Sequence, residues 1–295
     1  MKTMGRGGMV ALSLAAVVTV ATPAFAQFDI TGEWGQRRHE DALERGPGPD
    51  LGDYAGLPVN GAAILRADSW SSSRLTMPEY QCRPHPADYS PRGPANLRIW
   101  ETVDRRTQQV ISYHTHISWQ APERTIWMDG RPHPPAHAAH TWQGFSTGEW
   151  VGTSLKVTTT HLKTAFVRRN GVPRSDEAVM TEYWSRRGSV LTHTLILEDP
   201  VYLSEPLVRT TNWDANPDQQ LDPYPCAYVV EVPENQLGSV PHYLPGANPY
   251  LNEYAERFAL PLEAVRGGAS TALPEFIRPF DTSETMFVAP WADND

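Results

Sequence analysis

From Leu97 onward the chain divides into short apolar segments: "LRIWETVD", "QVISYHTHISW", "ERTIWMDG", "GEWVG", "SLKVTTTHLK", "EAVMTEYWSRRG", "SVLTHTLILED" and "PLVRTTNW". Each is rich in β-branched and aromatic residues and is bounded by Gly, Pro, Asp or Asn. Strands at this spacing, with turn residues between them, indicate an antiparallel meander. "VGTS" and "RRGS" fit tight turns joining neighbouring strands.

The flanking regions have a different texture. "FDITGEW" reads as one short strand. It leads into "RGPGPDLGDYAGLPVNG", a Gly/Pro-rich surface excursion. "GAAILRADSW" has helical spacing, whereas "QCRPHPADYSPRGPAN" holds too much proline for a helix or a central strand. The tail "NPYLNEYAERFALPLEAVRGG" has helical periodicity and a Gly-Gly stop. The expected division is a leader over 1–26, a strand and irregular wrap over 27–96, a β core over 97–243 and a helical tail over 244–295.

One string invites a sharper reading. Gly144-Phe145-Ser146-Thr147-Gly148 spells G-x-S-x-G, the nucleophile elbow of α/β-hydrolases. An elbow needs a strand entering and a helix leaving, so that the serine stands exposed on a strained turn. Here the string runs into "GEWVGTSLKVTTT", a hairpin. Ser146 is therefore expected to be a strand residue, with its glycines serving a tight turn.

Alternation puts residues i and i+2 on one side of a strand. On that basis four apolar faces each carry one ionisable group. Glu101 sits with Leu97, Ile99 and Val103; His161 with Leu155, Val157 and Thr159. Glu182 sits with Ala178, Met180 and Trp184; His193 with Leu191, Leu195 and Leu197. A dry core tolerates such groups only at a cost of several kcal/mol each when unpaired. A closed barrel with a partly polar cavity accommodates them, and strand ends reaching water are the alternative. His114 and His116 form H-x-H on one strand face, and "HPPAHAAH" supplies His133, His137 and His140 in a proline-rich loop. Imidazoles so grouped suit a transition metal, or acid–base chemistry with a carboxylate such as Glu182 or Asp129.

The N-terminus and the cysteines bear on compartment. Lys2 and Arg6 precede an apolar run from Met9 to Thr22 and the A-x-A site Ala24-Phe25-Ala26, the layout of a secretory signal peptide. The expected location is periplasmic or secreted. Cys82 and Cys226 are then expected to form one disulfide, closing a loop of about 145 residues. The formal charge of −9, made more acidic by loss of Lys2 and Arg6, disfavours nucleic acid and anionic lipid as partners. No segment after the leader is long and apolar enough to insert in a membrane.

Several motifs resemble a widespread family of exported bacterial proteins of unknown function. These are "RTIWMDGRPHP", "GFSTGEWVGTSLKVTTTHL", "RRNGVPRSDEAVMTEYW" and "LEDPVYLSEPL". The family pattern runs D-G-R-P-H-P, then S-x-G-x-W-x-G-D-T-L-x-V-x-T, then a G-x-P-x-S-[DE] turn and an E-x-[FW] strand. The likeness spans most of residues 80–270. This chain departs from it at Gly152-Thr153-Ser154, where relatives more often show G-D-T. The positions carried over are Arg124, Asp129, Arg131, His133, Ser146, Trp150, Ser175, Asp176, Glu182, Asp199 and Tyr202. The resemblance implies a mainly β fold: an antiparallel up-and-down barrel like that of lipocalins and other calycins, with "TGEW" as an early strand, an irregular N-terminal wrap and short C-terminal helices.

The combined reading is an exported barrel that binds a small, partly apolar molecule in a cavity. The rival readings are a cofactor-free lyase, isomerase or hydrolase, a metal-dependent enzyme and a non-catalytic carrier. The acid–base candidates are His114, His116, Glu182, Asp129 and His133. Arg131, Trp119, Trp142, Trp150 and His161 are the candidates to contact ligand. No cofactor is required; a metal, if used, would take His114, His116 and His140.

Overall fold

The computed structural model describes residues 28–37, 49–92, 95–221, 223–229 and 239–280. The leader expected over 1–26 lies outside the described residues. The strands are β1 (Gly32–Gln36), β2 (Leu97–Val103), β3 (Val110–Ile117), β4 (Glu123–Trp127), β5 (Phe145–Val151), β6 (Ser154–Thr160), β7 (Ala165–Phe166), β8 (Pro173–Arg174), β9 (Val179–Arg187), β10 (Val190–Glu198) and β11 (Leu207–Ala215). Nine of them close a barrel in the order β1-β11-β10-β9-β6-β5-β4-β3-β2. The remaining two, β7 and β8, pair as a separate hairpin between β6 and β9 in sequence.

The barrel is mostly antiparallel. The exception is β4 with β5, which run parallel, with Ile126 opposite Ser146 and Trp127 opposite Thr147. Parallel neighbours cannot be joined by a tight turn and need a long crossover. Residues 128–144 supply it, and Pro132, Pro134 and Pro135 make that segment unable to continue a ladder. The strictly up-and-down expectation therefore gives way at this one connection. Elsewhere the turns follow the sequence. Val151 pairs with Ser154 and Arg187 with Val190. Gly152 and Gly188, both at φ +59°, take the left-handed first position that a two-residue hairpin turn requires.

Burial alternates along β6, β9 and β10, so residues i and i+2 fill the lumen. The buried apolar residues form two clusters. One contains Trp34, Leu97, Ile99, Tyr113, Ile126, Leu155, Trp184, Leu191 and Trp213. The other joins Met180, Leu195 and Leu197 to Tyr54, Val59, Ala63 and Ala67 of the wrap. The wrap thus closes over part of the barrel. Its helix α1 (Gly61–Asp68) starts at Asn60, whose side chain accepts from the Ala63 amide in the manner of an N-cap. The short helix α2 (Pro78–Gln81) precedes Cys82.

Cys82 and Cys226 are disulfide-bonded, with Cα atoms 5.5 Å apart. The tail is helical in pieces, α3 (Glu253–Arg257), α4 (Leu262–Val265) and α5 (Pro274–Ile277). Pro261 separates the first two, because its ring removes an amide donor and disfavours helix at the residue before it. Among the described residues no helix is long and apolar enough to cross a membrane.

Candidate functional site

Two of the four interrupted faces meet inside the barrel. Glu182 on β9 and His193 on β10 point into the lumen, where His193 Nε2 lies 2.8 Å from Glu182 Oε1. The third member is Arg124 of β4. Its guanidinium donates to both carboxylate oxygens, at 2.8 and 3.0 Å. Two strands separate β4 from β9 around the barrel, so Arg124 reaches across the lumen. The Glu182 side chain is 0 % exposed and that of Arg124 6 %. Burial pushes the Glu182 carboxyl up, but the Arg124 charge and the His193 hydrogen bond outweigh it and hold the group below its usual value. The cluster sits between the two apolar clusters: Met180 and Leu195 belong to one, Trp184 and Leu191 to the other. The Trp184 ring lies 4.2 Å from that of His193, centroid to centroid. Its indole Nε1 is buried, and nothing in the described protein pairs with it.

Other large side chains are buried in the lumen. Trp34, Trp184 and Trp213 are each no more than 2 % exposed. Ser146 is also buried, and its hydroxyl exchanges a 2.8 Å hydrogen bond with Thr159. Its string lies on β5 and is followed by the β5–β6 turn, so it forms no elbow. Gly144, at φ +65°, approaches so closely that a Cβ would stand 2.5 Å from the Thr160 carbonyl oxygen. The other two interrupters are at strand ends. Glu101 is exposed near the end of β2. His161 follows β6 at φ +57° and leaves the inward face.

The predicted histidines are not gathered around Glu182. His114 and His116 lie on the outward face of β3, because Tyr113, Thr115 and Ile117 take the inward one. His114 stacks on Trp100 and contacts the Thr102, Ser112 and Thr125 hydroxyls at 3.0–3.2 Å. His116 Nδ1 lies 3.3 Å from Glu123. Asp129 and Arg131 pair with each other in an exposed turn, and the Arg131 guanidinium carbon sits 3.5 Å over the Trp127 ring.

His133 and His161 lie on the outside of β5 and β6, where they fix the crossover loop. His161 Nε2 is 3.0 Å from the Pro135 carbonyl and must donate to it. In the neutral ring Nδ1 then accepts from the Thr160 hydroxyl, at 2.7 Å. Thr160 oxygen is left to accept from His133 Nδ1–H, at 2.8 Å, and His133 Nε2 accepts from Thr147, also at 2.8 Å. Burial, then the nearby His161, lower the His133 pKa, consistent with that neutral chain. His140 borders it, with its ring centroid 5.2 Å from that of His161. His114, His116 and His140 do not come together, and among the described residues no group of three His, Cys, Asp or Glu side chains is arranged to hold a metal ion.

A recess that the sequence reading did not single out lies between the wrap, Trp142 and the β7–β8 hairpin. One part, about 100 Å³, is lined by Tyr80, Arg83, His85, Trp142, Phe166 and Arg169 among others. A second part, about 80 Å³, adds Arg66, Trp70 and Arg74 and shares Tyr80, Arg83, Ala165 and Phe166 with the first. The walls are pinned. Gln143 donates to the His85 carbonyl at 2.7 Å, and the Ala87 amide to that of Trp142 at 3.1 Å. Gly171, at φ +95°, lets the hairpin press on Trp70, where a Cβ would fall 2.4 Å from the Trp70 Cβ. Behind Tyr80 the chain is tied by the disulfide and by the Gln81 side chain, which bonds both backbone groups of Val229.

Of the aromatic residues expected to meet ligand, Trp142 lines this recess. Trp119 stands behind it, with its ring centroid 5.0 Å from that of His85. Trp150 packs elsewhere, edge-on against Phe28. Two carried-over residues are turn builders: Asp199 accepts from the Ser175 amide and hydroxyl, both at 2.7 Å. His193 was placed inward by alternation in "SVLTHTLIL", whereas Arg124 entered only through the family resemblance; alternation with Ile126 in "ERTIW" is the signal that could have placed it inward. His85, Arg83 and Arg74 carry no periodic signal, because they lie in proline-rich or irregular chain. No family model matches this chain, and neither the curated proteins nor the solved structures contain a significant match.

Proposed function

We propose that this protein is an exported, non-catalytic binder of a small, partly apolar molecule. The ligand sits in the recess at the seam of wrap and barrel rather than in the lumen. The observation that carries this reading is the contrast between the two places. In the lumen, Glu182, Arg124 and His193 satisfy one another, the Trp184 and Trp213 rings pack against His193, and the Trp184 indole Nε1 is left without a partner in the described protein. In the recess, aromatic rings surround polar atoms that are not satisfied: His85 Nδ1 and Arg74 Nε are buried without a hydrogen-bond partner in the described protein. Such atoms cost about 1–3 kcal/mol each when left unpaired, so a site that retains them is suited to a ligand. The Glu182–His193 pair has the chemistry of an acid–base couple. At 0 % and 2 % side-chain exposure it offers substrate no approach, which favours a structural role.

The disulfide and the resemblance to exported calycin-like proteins support the extracytoplasmic assignment. Native mass spectrometry of protein purified from its own host tests the reading. A retained molecule of defined mass, lost on Phe166→Arg substitution in the recess, is the expected result. A ligand that survives that substitution, or its complete absence under gentle desolvation, would refute it.

A further inference from the structure

We propose that the recess is built for a small organic carboxylate, gripped by arginines at its head and stacked on the aromatic rim by its body. The inference rests on the binding reading above and adds the ligand's class. Its first support is charge. Arg66, Arg74, Arg83 and Arg169 line the two connected parts, and no aspartate or glutamate does. That is a local reversal in a chain whose formal balance is −9. Among the described residues, Arg66, Arg74 and Arg83 make no ion pair with a carboxylate. Arginine forks match carboxylates in two parallel hydrogen bonds, and Arg66, Arg74 and Arg83 without a carboxylate partner make a recognition device rather than a packing solution.

The second support is the state of the buried polar atoms. His85 is only 7 % exposed, lines the recess, and leaves Nδ1 without a partner in the described protein. An imidazole nitrogen there can donate to a carboxylate oxygen when protonated on that atom. Arg74 likewise keeps a buried Nε unpartnered on the wall of the second part.

The third support is shape. The Arg83 guanidinium carbon lies 3.8 Å over Tyr80 and 4.4 Å over Trp142, so its plane is already fixed between two rings. A group held in this way loses little freedom on binding. The first part, about 100 Å³, has room for a carboxylate head and part of a small ring. The rings of Tyr80, Trp142 and Phe166 give the ligand's body an apolar surface that an inorganic oxyanion could not use.

Isothermal titration calorimetry on the full, disulfide-bonded chain decides the matter with three probes: benzoate, the neutral benzamide of the same size, and inorganic phosphate. The expected result is one benzoate bound per chain, with benzamide and phosphate each at least tenfold weaker. Arg83→Gln should weaken benzoate at least tenfold, and Arg106→Gln, in the exposed turn between β2 and β3, should leave it unchanged. If Arg83→Gln does not fold, Arg74→Gln takes its place with the same expectation. Benzamide binding as tightly as benzoate would overturn the carboxylate class while leaving the binding reading intact. Phosphate binding as tightly as benzoate would show that the aromatic rim is idle and overturn the organic ligand. Failure of all three probes, with no ligand retained by host-purified protein, would overturn both.

Discussion

Replacing Arg124 by Met tests whether the lumen cluster is a structural unit. The substitution removes both bonds to Glu182 and leaves a carboxylate with 0 % exposure facing His193 alone. Breaking a buried pair in this way costs about 3–5 kcal/mol, because the surviving charge is uncompensated. Glu182→Met strands the guanidinium instead, with a loss of similar size. If the two acted independently, the double variant Arg124→Met/Glu182→Met would lose about 6–10 kcal/mol, comparable to the whole stability of many domains. The geometry predicts otherwise. With both charges gone, the main remaining defect is His193 Nε2 without its acceptor, about 1–3 kcal/mol. Urea unfolding followed by tryptophan fluorescence, with the disulfide intact, measures all four corners of the cycle. The pH dependence adds an independent check. The Glu182 pKa is depressed below 4.5 in the folded protein, so its contribution is present above that value and is lost as pH falls through the lowered one. The double variant should lack that component. Additivity within about 0.5 kcal/mol, or an Arg124→Met cost below about 1 kcal/mol, would refute the argument.

Burial, helped by the Arg169 charge, lowers His85 from 6.5 to about 4. Its neutral form is the folded one, so stability should be complete above pH 6.5 and fall as pH drops through the folded value, by roughly 3 kcal/mol in all; a matched acid titration of His85→Met should lack that decline. Gly144→Ala should cost about 2 kcal/mol or more by thermal unfolding, since φ is +65° and the new Cβ would meet the Thr160 carbonyl and the Thr159 methyl group. Reducing the disulfide should lower stability by up to about 5 kcal/mol, and thiol counting in denaturant without reductant should find no free cysteine.

How far the sequence revealed this molecule depends on whether a residue's neighbours repeat. Along β9 and β10 they do. The alternation of Met180, Glu182 and Trp184 against Leu191, His193 and Leu195 placed both ionisable groups inside, because period 2 leaves each residue one of two faces. Alternation could not say which inward groups meet, since that depends on barrel register and on which strands face each other across the lumen. Glu182 therefore gained Arg124, three strands away, instead of His114 or His116, whose parity on β3 turns them outward. The parallel β4–β5 step was hidden for a related reason: a loop's composition forbids a ladder but does not state where the next strand begins. The recess was least legible. Its walls come from α2, the chain around His85, Trp142 and the β7–β8 hairpin, brought together by a disulfide, isolated side-chain bonds and one close glycine contact. None of these leaves a periodic trace. The barrel was readable because its pattern is local and repeated. The recess depends on single long-range contacts, and for that reason single substitutions there can change its ligand preference while the barrel that supports it stays intact.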